Sequence, residues 1–188
     1  MQFLKTGFFV LLSLDVGLYV RYGTANEALE QVAWLILLAS FLYESSSLGE
    51  AYISRSEQFG LYTVQTIGYG LAVYTCWGYW TAGDTSSFVN SAAWLMICAL
   101  LVYDVYAPGE YGGLEWRARN VAKAVLYAVV VGLVGLWGWQ GVATDDADSL
   151  ISAYDAALWI GCFTIVELRV FDFEMKEETE LGQHSIES

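Results

Sequence analysis

Ala33, Trp34, Leu35, Ala39, Tyr43, Gly49 and Glu50 recur sixty residues later as Ala93, Trp94, Leu95, Ala99, Tyr103, Gly109 and Glu110, and Glu44 recurs as Asp104. A period of this kind restricts the fold to copies of one supersecondary unit. Each copy is a long apolar run that ends in an aromatic, an acid and a glycine, the profile of a membrane helix reaching water.

The period extends beyond that stretch. Trp77 and Gly78 recur as Trp137 and Gly138, Tyr19 corresponds to Tyr79, and Gly23 corresponds to Gly83. The unit is therefore a hairpin, with one helix out, a short polar loop and one helix back. In a third copy the segment from Ala156 to Glu167 matches that from Ala92 to Asp104 once an insertion and a later deletion are allowed.

A membrane-spanning helix needs about 20 mostly apolar residues. That window gives six candidates, near 3–21, 28–48, 58–80, 87–107, 118–140 and 149–171. The expectation is an all-α polytopic membrane protein. About six transmembrane helices form three hairpin repeats, at about 3–48, 58–107 and 118–171, in one transmembrane domain over 1–171. An acidic cytoplasmic tail follows at 172–188. Composition agrees: 56% of residues are hydrophobic and 15% are charged, against about 25% charged in a typical soluble domain. The run Gly7 to Leu14 resembles a signal sequence, but Asp15 interrupts it and no small-residue cleavage site follows, so it reads as a retained first helix.

Positive charge stays on the cytoplasmic side of a membrane. With the N-terminus inside, the inner segments hold Lys5, Arg55, Arg117, Arg119, Lys123, Arg169 and Lys176, and the outer segments hold Arg21 alone. Both termini are expected to be cytoplasmic, in a bacterial inner membrane. Tyr19, Tyr22, Trp77, Tyr79, Trp80, Trp137 and Trp139 fall at the predicted outer ends, where amphipathic rings favour the interface. Gly68, Gly70, Gly132, Gly135, Gly138 and Gly161 are read as close-packing positions between helices.

The net charge of −13, from 21 acids and 8 bases, disfavours nucleic acid and anionic head groups as partners. Three cysteines without CxxC spacing and one histidine, His184, near the end of the sequence argue against a disulfide framework, a zinc site or a histidine-held haem. No cofactor or metal is expected. The sequence has no nucleophile elbow, HExxH, P-loop or dinucleotide fingerprint, so it does not read as an enzyme; the weakest reading is a membrane enzyme built on Glu167 and Arg169.

Charges inside membrane spans face protein or water, because lipid exposure is costly. The candidates are Asp15, Glu44, Asp104, Asp155 and the Glu167 and Arg169 pair. Glu44, Asp104 and Glu167 occupy equivalent repeat positions near the inner ends of the second, fourth and sixth helices, so three parallel hairpins around one axis would gather them into an acidic ring that attracts cations. Alternatively they lie at head-group depth and pair with Arg55, Arg117 or Arg169; Arg169 bridging to Asp104 or Glu44 would neutralise the ring. Asp15 falls deeper, and an acid at that depth is either protonated or hydrogen-bonded to a neighbour. Gln65, Thr66, Ser91 and Asp155 are further polar groups for a path.

Six helices in about two hundred residues, laid out as three hairpins, resemble the architecture of the small urea and amide channels, although histidine-rich outer loops are missing here. The leading functional expectation is a small channel or passive transport protein for a proton, cation or small solute. It would sit in membrane lipid as a homo-oligomer, its path lined by Asp15, Glu44, Asp104 and Glu167. The alternative is a non-catalytic membrane subunit or sensor that docks a soluble cytoplasmic protein partner through the tail or the segment from Asp104 to Arg119.

Overall fold

The computed structural model describes residues 2–47, 54–106 and 113–164. Within them the chain is all-helical: α1 Gln2–Tyr22, α2 Ala25–Ser47, α3 Arg55–Ala82, α4 Thr85–Tyr106, α5 Leu114–Thr144, and α6 over 147–164. Two of these, α4 and α5, are long and apolar enough to cross a membrane by length and composition. The other helices carry polar residues within the apolar runs: Asp15 in α1, Glu30 and Gln31 in α2, Thr63, Gln65, Thr66 and Thr75 in α3, and Asp155 in α6.

Three of the helix connections are two residues long, and local chemistry dictates each. After α1, the Gly23 N–H bonds the Tyr19 carbonyl at 2.9 Å, and Thr24 caps α2 by accepting from the Glu27 N–H at 3.3 Å while Glu27 accepts from the Thr24 N–H at 2.6 Å. After α3, Gly83 takes the left-handed conformation at φ 77°, which glycine adopts without steric cost. Asp84 then caps α4 by accepting from the Ser87 N–H at 3.1 Å. After α5, Asp145 adopts the left-handed conformation at φ 55°, and Asp146 accepts from the Asp148 N–H and the Ser149 hydroxyl at the start of α6. At the opposite end, Ser54 and Glu57 form a reciprocal capping box at the start of α3.

Neighbouring helices in sequence pack together: α1 on α2, α2 on α3, α3 on α4, and α4 on α5. Helix α6 returns beside α1, where Gly161 lies close enough to Phe8 that a Cβ would sit 3.1 Å from its ring. Helices α2, α4 and α6 meet in the interior through large aromatics. The rings of Trp34 and Trp159 are 6.1 Å apart, those of Trp94 and Phe163 4.8 Å, and those of Trp159 and Phe163 6.1 Å. The hydrophobic core is built around these side chains with Leu12, Leu38, Ile97 and Val130. Helices α1, α3 and α5 lie outside this central group, α1 against α2 and α6, α3 against α2 and α4, and α5 against α4 and α6.

The aromatic set divides. Tyr22, Trp77, Trp80 and Trp139 face outward, as expected of interfacial anchors, but Tyr19, Tyr79 and Trp137 are buried. The reason is helical phase: Trp137 and Trp139 are two residues apart and so point to different sides of α5. The glycines divide too. Gly68 is pressed against Leu37 and Gly161 against Phe8, whereas Gly70, Gly132, Gly135 and Gly138 have nothing within contact of a Cβ. Gly78 and Gly141 are close-packed instead, against Asn26 and Leu150.

Candidate functional site

About one and a half to three turns inside the two-residue connections, the helices enclose a polar cluster. Asp15 of α1 is completely enclosed, with 0% of its surface exposed, and Glu30, Gln31, Ser91 and Asp155 are buried. Helical spacing puts them there. Leu12, Asp15 and Tyr19 form one inward stripe on α1, and Ala72, Thr75, Cys76 and Tyr79 form the matching stripe on α3.

Two subsites are distinguishable. In the first, Glu30 receives hydrogen bonds from the Tyr79 hydroxyl at 2.7 Å and, at a long 3.4 Å, from the Trp34 indole N–H one turn along α2. Ser91 of α4 adjoins it. In the second, Asp155 of α6 accepts a hydrogen bond from the Gln31 side chain at 2.8 Å and faces Asp15. Neither Asp15 oxygen meets a conventional donor. The group opposite is itself a carboxyl, and two carboxyls hydrogen-bond only when one of them carries a proton. Tyr19 adjoins this pair and Ser152.

A small cavity lies between the two subsites, lined by Glu30, Gln31, Trp34, Asn90, Trp94 and Asp155, with Trp159 and Phe163 completing the wall. Its volume is about 10 Å³, about what one water molecule requires. The cavity has a recurrent construction. On each of α2, α4 and α6 a polar residue precedes a tryptophan by one helical turn: Glu30 and Trp34, Asn90 and Trp94, Asp155 and Trp159. In the first pair the indole N–H reaches its carboxylate. In the other two, the Trp94 and Trp159 nitrogens and the Asn90 Oδ1 oxygen are buried without a partner, as is Gln31 Oε1, while Asp155 Oδ1 has no donor other than the Asp15 carboxyl.

Of the three acids expected to form a ring at the other end, Asp104 alone has a described side chain. Asp104 is held by two bases of α5, Arg119 at 2.7 Å and Lys123 at 2.9 Å. The Arg119 guanidinium also lies 5.2 Å over the Tyr103 ring, and the Tyr103 hydroxyl donates to Glu115 at 2.7 Å. The partner of Asp104 is thus Arg119 with Lys123, one turn apart on the adjacent helix. Glu44 falls in the last turns of α2 and its side chain lies outside the described residues, as do Glu167, Arg169 and the acidic tail. Thr66 is on the outer surface, its hydroxyl donating to the Tyr62 carbonyl.

Asp15 and Asp155, separate candidates in the sequence, are brought together. Glu30 and Gln31 were missed, because their place at the start of an apolar run reads as head-group depth. The available signal was the repeat itself, extended upstream: Glu30 and Asn90 are sixty residues apart, each four before a repeated tryptophan. Among the described residues no group of three or more histidine, cysteine, aspartate or glutamate side chains is arranged to hold a metal ion, and Cys76, Cys98 and Cys162 are buried free thiols.

Comparison with known protein families, with curated proteins and with solved structures finds no match. The likeness to the small urea and amide channels therefore rests on helix number and hairpin layout alone.

Proposed function

We propose that this chain is a small integral membrane protein that passes protons, with Asp15, Glu30 and Asp155 as the groups that carry them. All six helices cross the bilayer as three hairpins, with both termini cytoplasmic and with the three two-residue turns on the outer face. The bias of lysine and arginine toward the opposite end supports this orientation. The hairpins act as parallel repeats, so α2, α4 and α6 are equivalent elements around the central cavity.

One observation carries the proposal: three carboxyl groups from α1, α2 and α6 converge among buried tryptophans, and among the described residues none of them is ion-paired with a base. Buried acids cost stability when ionised and unpaired, and in membrane proteins such groups mark proton or ion pathways. A proton suits this site better than a metal cation. The cavity holds one small molecule, and the unpaired indole N–H groups present positive hydrogens to whatever occupies it. A solute of urea's size does not fit between the aromatic rings. Asp104, already neutralised by two bases, is assigned a structural role.

Proton flux into proteoliposomes containing only this chain, followed with an enclosed pH-sensitive dye, tests the reading. The parent should conduct and Asp155→Asn should conduct at least about tenfold less, the rate equivalent of about 1.4 kcal/mol. Asp104→Asn should conduct as the parent does. A parent without flux, or an Asp155→Asn variant with undiminished flux, would defeat the proposal. In the first case the chain is better read as a membrane subunit of a larger assembly.

A further inference from the structure

We infer that the cavity between α2, α4 and α6 binds one water molecule, held by the indole N–H groups of Trp94 and Trp159, and that this water joins the Glu30 subsite to the Asp155 and Asp15 subsite. The relay role rests on the proton-carrying function proposed above; the binding site does not.

The hydrogen-bonding inventory identifies the ligand. Buried polar groups in folded proteins almost always have partners. Two tryptophan nitrogens, each donor-only, are enclosed without an acceptor, and both belong to side chains that line the cavity. Trp159 lies one turn from Asp155 on the same face of α6, and Trp94 one turn from Asn90 on α4, so each unpaired indole lies beside an oxygen, and on α4 that oxygen, Asn90 Oδ1, is itself unpaired. Gln31 Oε1 is the second unpaired oxygen on the same wall. A ligand that satisfies this wall must accept two hydrogen bonds and donate two, and water does both. Buried waters typically make about three hydrogen bonds. A metal ion or ammonium has no lone pair for the indoles and leaves both donors unmet.

The titratable groups that line the cavity are Glu30 and Asp155, and those facing this pair are Asp15, Glu27, Cys76, Tyr79 and Tyr19. Transfer through the water balances. When one indole N–H swings off the water and frees a lone pair, the Asp155 carboxyl releases its proton to the water oxygen as the water releases another to a Glu30 carboxylate oxygen. One O–H bond breaks and one forms on the water, Asp155 becomes the carboxylate, and Glu30 becomes the neutral acid. Trp94 and Trp159 are positioning residues in this step, since they hold the water and exchange no proton.

The test is water-selective cross-relaxation NMR on the full chain, labelled with nitrogen-15 at tryptophan, in detergent micelles. Signals are assigned by single Trp→Phe variants, which keep the ring and remove the N–H. The indole protons of Trp94 and Trp159 should show direct transfer from a long-lived water. In Trp94→Phe the Trp159 transfer should fall at least about threefold, while Trp139→Phe, on an outward-facing ring, should leave it unchanged. Proton flux of Trp94→Phe/Trp159→Phe should drop about tenfold, with a melting temperature close to that of the parent. Absence of water transfer at both indoles overturns the site, and so does a shift of both signals on adding ammonium chloride but not sodium chloride. If the transfer is seen and the parent carries no flux, the water site stands and the proton pathway falls. If the double variant unfolds, Trp94→Phe alone decides the site through the Trp159 signal.

Discussion

A single hydroxyl separates two uses of the same position. Tyr19 and Tyr79 occupy corresponding places on α1 and α3, yet the Tyr79 hydroxyl donates to a carboxylate, that of Glu30, whereas Tyr19 adjoins Ser152. A hydrogen bond to a charged or acidic group contributes about 1.5–3 kcal/mol, and removing the donor leaves an enclosed oxygen short of a partner. Tyr79→Phe should therefore destabilise the fold by about 1–3 kcal/mol, measured by chemical denaturation in detergent. Trp77→Phe, on an outward-facing ring, should change it by less than about 0.5 kcal/mol. Equal effects would mean that the Glu30 contact contributes nothing.

The helices themselves were largely legible in the sequence. Expected spans of 28–48, 58–80 and 87–107 correspond to Ala25–Ser47, Arg55–Ala82 and Thr85–Tyr106, because apolar length and the caps at Thr24, Ser54 and Asp84 are local properties. The site was not legible in the same way. Which face of α6 meets α1 depends on packing between residues 140 positions apart, so Asp15 and Asp155 appeared as unrelated acids, and the two bases that hold Asp104, 15 and 19 residues away, were not singled out as its partners. The capping box of α3 makes a prediction at this scale. The Ser54 backbone N–H, followed by its hydroxyl, holds the Glu57 carboxyl below the ordinary glutamate value of 4.5. Because the folded value is the lower one, the carboxylate's contribution is present above the ordinary value and is lost as pH falls through the folded one. Amide protection in the first turn of α3 should therefore be constant from neutrality down to about pH 5 and decline below it. In Glu57→Gln the decline should vanish; its persistence would place the acid-sensitive group elsewhere.

At the scale of the whole molecule, the distribution of bases and the three short turns imply one orientation. A reporter enzyme that is active only outside the cytoplasm should be active when fused after Thr24, Asp84 or Asp146 and inactive when fused after Ser54 or Gly113. The reverse pattern would invert the protein and place the proton site near the cytoplasm.

The two-residue turns also govern how such a bundle can move. A link that short fixes the separation of the helix ends it joins, so at that end α1 stays with α2, α3 with α4, and α5 with α6. Each hairpin can open only as a pair of compass legs opens, with its pivot at the turn and its widest travel at the far end. The polar cluster lies near the pivots, where a swing that displaces the distant ends by several ångströms moves the carboxyls and tryptophans very little. The geometry of the buried acids is thereby insulated from whatever the opposite face of the protein is pulled or pushed into doing.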